Sequence, residues 1–572
     1  MVSTPTVTFA NKIKMQHRLF AELSTMFGRE VPLYDKSLLV NKVTNEAACT
    51  LLAKLYRGFS LTAEQLEKTS GERHGAIRIG TPEEYRYVAG FFDAFAMLPH
   101  NFYDMTAIGA KSQPIIATAF RSPLNPEHRV FCSLLMIDYF DAAIGDRVRD
   151  ILSRRHIFSD RAKELIEKNE RDGGLSVEES EELVKEGTTR IFKWTGHAHD
   201  YQLYKELSDA GFKIAADIAC FESHHLNHLT PNTLCMDLYT AAMKCTMGEM
   251  DKPTFASRAI AALATLRHMA DRDWMRLHFR HLSSDDIAAF GSNTVGDDAL
   301  EAIVAGLTAR LSEADLDLSR LKHSGFKDFT EGPAVDTPVL LRQDAYKALT
   351  EPVVFHQPDG STMNAVHTAR FGEIEQRFYA TTPAGRELYD RCLAHAEAER
   401  AKDPGLAKRD PAAYEASYAA AFAPFPKTLG ELLRQGLVFG RFSATAQGIA
   451  ASASLIGTTD LFELVDLGYV RYEGLRYEDF LPISAAGIFA SNLGQYGTKS
   501  TATEKPTYSQ ATLEVIMGRR IVDPNVIYRG VQAESIVQTY GALGLLERLP
   551  VGERAELDAS VAAYRALIPI NS

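Results

Sequence analysis

His367-Thr-Ala-Arg-Phe-Gly-Glu-Ile-Glu-Gln-Arg377 is the stretch whose reading decides the fold. Phe371, Glu373, Glu375 and Arg377 recur at period two, with Ile374 and Gln376 between them, so the segment reads as a strand with one face turned to a polar site. A carboxylate buried on such a strand must be paired, protonated or bound to a metal. Glu373 is therefore the first candidate for chemistry, and the fold must supply a sheet around it.

With 572 residues, 45% of them hydrophobic, the chain can bury a large core, and its length alone predicts about three or four domain-sized units. A net charge of -12 and a pI near 5.8 argue against nucleic acid or an anionic membrane as the main partner, while a small acidic substrate held by a few arginines stays open. The six cysteines form no C-x-x-C pair, which argues against a zinc ribbon or a disulfide framework. No 18-residue apolar run occurs, so the expectation is a cytoplasmic protein without a membrane span.

Apolar residues at helical spacing from Phe9 to Phe27, and again over Glu46 to Tyr56, predict helices that serve as scaffold. Glu72-Arg-His-Gly-Ala-Ile-Arg-Ile-Gly80 is followed by Thr81-Pro-Glu-Glu84, a capping box with proline at the first helical position. Residues 74–79 are thus extended, with a helix starting at Pro82, and His74 and Arg78 share one face of that strand. Two strands joined by a Pro and Asn turn are expected within residues 114–140. Helices follow from Asp146 to Lys185, broken at Asp172-Gly-Gly174 and restarted by the box from Ser176 to Glu179.

His197 and His199 read as surface histidines of a polar loop. Ile214-Ala-Ala-Asp-Ile-Ala-Cys-Phe221 reads as an apolar strand running into His224, His225 and His228, three histidines in five positions and a genuine metal signal. Residues 246–320 read as a helical insertion, whose His268, His278 and His281 lie at the surface or pack helices. Pro338 to Arg342 and Pro352 to Phe355 read as short strands, Thr382 to Lys402 and Pro411 to Ala423 as helices, Gly468 to Tyr477 as strand-like, and the tail from about Thr503 as helical. Two histidines and a glutamate from distant strands make a 2-His-1-carboxylate set, which selects Fe(II) and oxygen chemistry. Zinc can use the same ligands, although no H-E-x-x-H motif is present.

Glu72 to Arg78, His225-Leu-Asn-His-Leu-Thr-Pro231, His367 to Arg377, and Phe480-Leu-Pro-Ile-Ser-Ala-Ala-Gly-Ile-Phe489 with Ser491 to Gly494 resemble the 2-oxoadipate dioxygenase/decarboxylase family. These are the D-2-hydroxyglutarate synthases of lysine catabolism, within the vicinal oxygen chelate superfamily. The four motifs stand in the family's order, and the likeness spans Arg29 to Gly494 outside the helical insertion. The resemblance implies an α+β fold, a curved sheet of vicinal oxygen chelate type enclosing a metal, with covering helices. It implies Fe(II) as cofactor and His74, His228 and Glu373 as ligands. His228 is the histidine followed by Leu-Thr-Pro, and Glu373 is the first acid of Glu-Ile-x-Gln-Arg, leaving Glu375 a supporting role. Arg78 is implied as the clamp on a substrate carboxylate, a task suited to a guanidinium fork, and Ile483 and Ser484 as lining of the substrate pocket beside the ligands.

The reaction so implied converts 2-oxoadipate and O2 to 2-hydroxyglutarate and CO2, the substrate chelating the iron through its own 2-oxo acid. The family's arginine after His-Leu-Thr-Pro is Asn232 here, and Phe378-Tyr379 stand where it has small residues. The expected layout is residues 1–245 with the histidine ligands, 246–320 as insertion, 321–500 with the glutamate, and 501–572 as helical tail. The alternatives are the same chemistry on a different 2-oxo acid, a zinc lyase or hydrolase, which metal identity separates, and a binding protein without turnover, against which the intact ligand set and Arg78 argue.

Overall fold

The computed structural model describes residues 9–106, 112–321, 325–326, 330–451, 456–481 and 507–568. In chain order the strands are β1 (Tyr56–Arg57), β2 (Glu72–Ile79), β3 (Leu98–Asp104), β4 (Ile115–Arg121), β5 (Arg129–Leu135), β6 (His197–His199), β7 (His228–Pro231), β8 (Gly291–Ser292), β9 (Leu341–His356), β10 (Thr362–Arg377), β11 (Gly440–Ala444) and β12 (Val470–Gly474). The principal sheet runs β3-β4-β5-β2-β7, mixed in direction, with β2 parallel to β5 and antiparallel to β7. A second sheet, β10-β9-β6, is built on the long antiparallel hairpin of β9 and β10. The architecture is α+β, as expected.

Two devices place the site. β2 ends where Thr81 caps the helix Pro82–Asp93 in a reciprocal capping box with Glu84, which fixes the exit of the strand and hence the facing of His74 and Arg78. The two sheets then meet at a parallel bridge between Asn232, just past β7, and Glu375 on β10. Gly372 lets β10 approach its partner: a Cβ there would fall inside the ring of Tyr346, its opposite number on β9.

One apolar cluster joins the N-terminal helices, the principal sheet and the helices between Lys252 and Leu311, with Phe20, Ile77, Phe131, Leu263 and Leu300 among its buried members. A second gathers Leu341, Phe378, Tyr379, Tyr389, Phe439 and Tyr540 around β11 and the helix Pro524–Ala542. The segment read as an insertion is helical, and it packs into the first cluster. Phe378 and Tyr379 are buried members of the second.

Several expectations are corrected. Residues 214–220 lie in a helix, Lys213–Cys220, and are all buried, while Phe221 is extended and bridges Ala198; a short run without polar periodicity carries no signal to separate the two states. His197 and His199 lie on β6 rather than in a loop, pairing in register with Val354 and His356. The two short strands around Pro338 and Pro352 are one, β9, sixteen residues long. The second helix starts at Pro32, well before Glu46, because proline opens it there.

Candidate metal centre

β2 carries His74, β7 carries His228 and β10 carries Glu373; with Ala76 opposite His228 and His74 opposite Thr230, both imidazoles face the same side of the principal sheet. One ligand atom from each of the three lies within 4.8 Å of the others, and all three residues are buried. His74 Nε2 stands 2.9 Å from one oxygen of Glu373 and His228 Nδ1 3.5 Å from the other. Thr230 donates to Glu373 at 3.2 Å. Two donors each about 2.1 Å from one ion and at right angles stand about 3 Å apart, so the spacing and the neutral-nitrogen, anionic-oxygen donor set both fit a divalent metal held on one face. His224 instead meets Glu84 at 3.2 Å, and His225 packs on Trp194 with ring centroids 4.6 Å apart. The cluster thus contributes one histidine to the triad.

The far nitrogen of His74 is held as well. Its Nδ1 is 3.1 Å from Glu375, which accepts Arg377 through both oxygens at 2.8 and 3.0 Å and has Arg129 at 3.6 Å. Burial pushes the Glu375 carboxyl up, but Arg377, His74 and Arg129 outweigh it and hold it well below the usual range. Burial also lowers His74, and the two glutamates overcome it and raise its pKa. Phe480 closes over the site, its ring edge-on to His74 at 5.1 Å and to Phe131 at 5.6 Å.

Arg78 lies toward the other end of β2, and its Nη1 donates to Asp217 at 2.5 Å from the helix Lys213–Cys220. The opposite oxygen of Asp217 is 3.7 Å from His367, which pairs with the Tyr204 hydroxyl at 2.8 Å. Burial pushes Asp217 up to about 7 against the pull of Arg78. Ile483 and Ser484 lie outside the described residues.

The supporting residues were the harder part to read from sequence. Glu375 and Arg377 were visible as neighbours of Glu373 at period two. Asp217 was hidden inside a run mistaken for a strand, and Arg129 and Arg377 find partners far away in the chain. A second group with ligand-type atoms, His17, Glu127 and His128, lies nearer the surface, and the Arg73 guanidinium sits directly on its glutamate, which disfavours a cation there.

A family model described as 2-oxoadipate dioxygenase/decarboxylase matches residues 19–254 and 276–492. A 2-oxoadipate dioxygenase/decarboxylase of Pseudomonas putida is 32% identical over 95% of this chain and 99% of its own length. One from Escherichia coli is 28% identical over 90% and 95%. The crystal structure of the hydroxyglutarate synthase of Pseudomonas putida in complex with 2-oxoadipate superposes with a TM-score of 0.65 at 30% identity, covering 94% of this chain and 99% of that one. Among the described residues no helix is long and apolar enough to cross a membrane.

Proposed function

The chain belongs to the 2-oxoadipate dioxygenase/decarboxylase family, and on that premise we propose that it is an Fe(II)-dependent enzyme converting 2-oxoadipate and O2 to 2-hydroxyglutarate and CO2. The observation that carries the reading is the buried set of His74, His228 and Glu373, three metal-type donors brought to one point by strands far apart in sequence. Bound iron would supply the activation of O2 and the oxidation that expels CO2 from the 2-oxo acid.

The residues of this chain do the rest. Glu375, its carboxylate 3.1 Å from Nδ1, holds the His74 ring by charge from behind, so that Nε2 faces the centre. Arg78 would bind a carboxylate of the substrate, with Asp217 holding its fork in place from behind. Phe480 and Phe131 keep water from the imidazole face. We also assign the meeting of the principal sheet with β10 to the curved sheet of the vicinal oxygen chelate type, on the family relation. A place in lysine degradation rests on the same relation, and a cytoplasmic setting on the six free cysteines.

The test is O2 uptake by anaerobically Fe(II)-loaded protein supplied with 2-oxoadipate, comparing wild type with His228→Ala and Arg78→Ala. Equal consumption of O2 and substrate, with 2-hydroxyglutarate formed by wild type, lost in His228→Ala and shifted to high KM in Arg78→Ala, supports the assignment. Unchanged turnover in His228→Ala would overturn it.

A further inference from the structure

Behind the triad, on the Nδ1 side of His74, the structure gathers an unusual concentration of buried positive charge. Arg73, Arg129, Arg377 and Arg476 are all at least nine-tenths buried, and Arg280 reaches in from a side chain that keeps 38% of its area exposed. Three carboxylates serve these five: Glu375 takes Arg377 and Arg129, Glu478 takes Arg129 and Arg280, and Glu127 takes Arg73. The neighbouring pair of Arg121 with Asp479, joined by the Tyr528 hydroxyl, is closed on itself. The group therefore holds two positive charges in excess, in a region where an unpaired ion costs several kcal/mol.

One of the two falls on Arg476, and the other is spread over Arg377, Arg129 and Arg280, which share Glu375 and Glu478. Among the described residues its guanidinium makes one side-chain hydrogen bond, 2.6 Å from Nη2 to the amide oxygen of Asn232, and it faces no carboxylate. The Asn232 amide is itself fixed, its nitrogen donating to the Thr69 carbonyl at 2.7 Å, the same carbonyl that Arg73 reaches at 3.3 Å. Arg476 and Arg73 are thus tied to one point of the backbone. The Nε of Arg73, of Arg129 and of Arg476 and the Nη2 of Arg129 are all buried without a hydrogen-bond acceptor. Buried donors of this kind are paired in nearly all native structures, and several forked cations with open donors are the standard receptor for a planar anion.

We propose that Arg476, with Arg73 and Arg280 beside it, forms a binding site for a carboxylate group. The carboxylate belongs to a separate small anion that enters past the exposed side chain of Arg280, because the cluster lies on the far side of His74 from the metal face and Arg78 serves the substrate. Its capture requires no covalent step.

The test uses the full chain without metal, so it is independent of turnover. Binding of acetate, glutarate, 2-oxoadipate and 2-oxohexanoate is measured by calorimetry and thermal shift at fixed ionic strength, for wild type, Arg476→Gln, Arg476→Lys and Asn232→Asp. Wild type is expected to bind at least one of these carboxylates saturably, with affinity about ten- to a hundredfold weaker in Arg476→Gln, the weight of a lost charge-assisted contact. Asn232→Asp, which places a carboxylate against Arg476 within the chain, is expected to raise thermal stability and abolish the binding, and it answers the question even where Arg476→Gln folds poorly. A loss seen with acetate or glutarate assigns the site to a separate carboxylate anion. A loss confined to 2-oxoadipate and 2-oxohexanoate overturns the proposal, since it places the occupant at the substrate site instead. Equal affinity for every anion in wild type, Arg476→Gln and Asn232→Asp overturns the proposal. If O2 uptake fails while anion binding is lost in these variants, the site stands and only the proposed reaction falls.

Discussion

Replacing Glu375 by glutamine separates a residue that supports the metal from one that binds it. The carboxylate is fully buried and makes two parallel hydrogen bonds with Arg377 at 2.8 and 3.0 Å, a contact with His74 Nδ1 at 3.1 Å and an ion pair with Arg129 at 3.6 Å. Glutamine keeps the shape and one acceptor but removes the charge. Arg377 then retains the Tyr477 and Asp479 carbonyls, at 3.1 and 2.7 Å, and no carboxylate among these partners. Leaving a buried guanidinium without its counter-charge costs about 3–5 kcal/mol, and loss of the outer partner of a ligating imidazole costs about ten- to a hundredfold in metal affinity. Urea unfolding of the metal-free protein measures the first and Fe(II) titration under argon the second. Glu373→Gln should show the opposite balance, with metal affinity abolished and the smaller loss of apo stability. If Glu375→Gln unfolds within about 1 kcal/mol of wild type and binds Fe(II) equally well, the supporting role assigned to it is wrong.

Glu84 offers a pH test with a defined sign: burial raises its carboxyl, but Arg155 and His224 outweigh that and hold it far below its ordinary value. A carboxyl depressed in the folded state contributes stability that is present above its unfolded pKa and lost as pH falls. Wild type should therefore lose urea resistance as pH falls below about 4.5, while Glu84→Gln, about 3–5 kcal/mol weaker at pH 7 for stranding Arg155, should show a flatter curve; parallel curves would contradict the pairing. Gly372→Ala should cost about 3 kcal/mol in urea unfolding, because the Tyr346 ring that a Cβ would strike is anchored by its hydroxyl to Ser37 at 2.6 Å and cannot swing away; a loss under about 1 kcal/mol would refute the close approach. Asp217, raised to about 7 by burial, gains its charge above that pH and only then holds the Arg78 fork in place. KM for 2-oxoadipate should fall as pH rises through 7 in wild type and stay level in Asp217→Asn, and identical profiles would exclude Asp217 from orienting Arg78.

Local rules carried the sequence reading where a few adjacent residues settle the matter. The box of Thr81 and Glu84 fixed where β2 stops, and Gly173, in the left-handed region at φ 83°, ends its helix before Ser176 caps the next. The alternation over Glu373, Glu375 and Arg377 survives as a row of buried charges on β10. The reading failed where burial is complete on all sides, as in Lys213–Cys220, whose apolar run carries no period. It failed again at Pro352, which looked like the start of a strand. β6 covers β9 only from Val354 onward, so on that flank Pro352 occupies an edge position where its missing N–H costs nothing. Of the site, the three ligand candidates were legible as residue types with distinctive neighbours. Their supports were not, because Asp217 lies 139 residues from Arg78, and Glu478 lies 349 residues from Arg129. No local pattern joins such pairs; only the packed sheet does.

The measurement that bears most directly on the account is O2 uptake with 2-oxoadipate by the same preparation loaded with Fe(II) and, separately, with Zn(II). The Fe(II) form should consume one O2 for each 2-oxoadipate and yield 2-hydroxyglutarate and CO2 in equal amounts, and the Zn(II) form should consume none. A Zn(II) form that transforms 2-oxoadipate without oxygen, or an Fe(II) form that takes up no oxygen with it, would contradict the central claim.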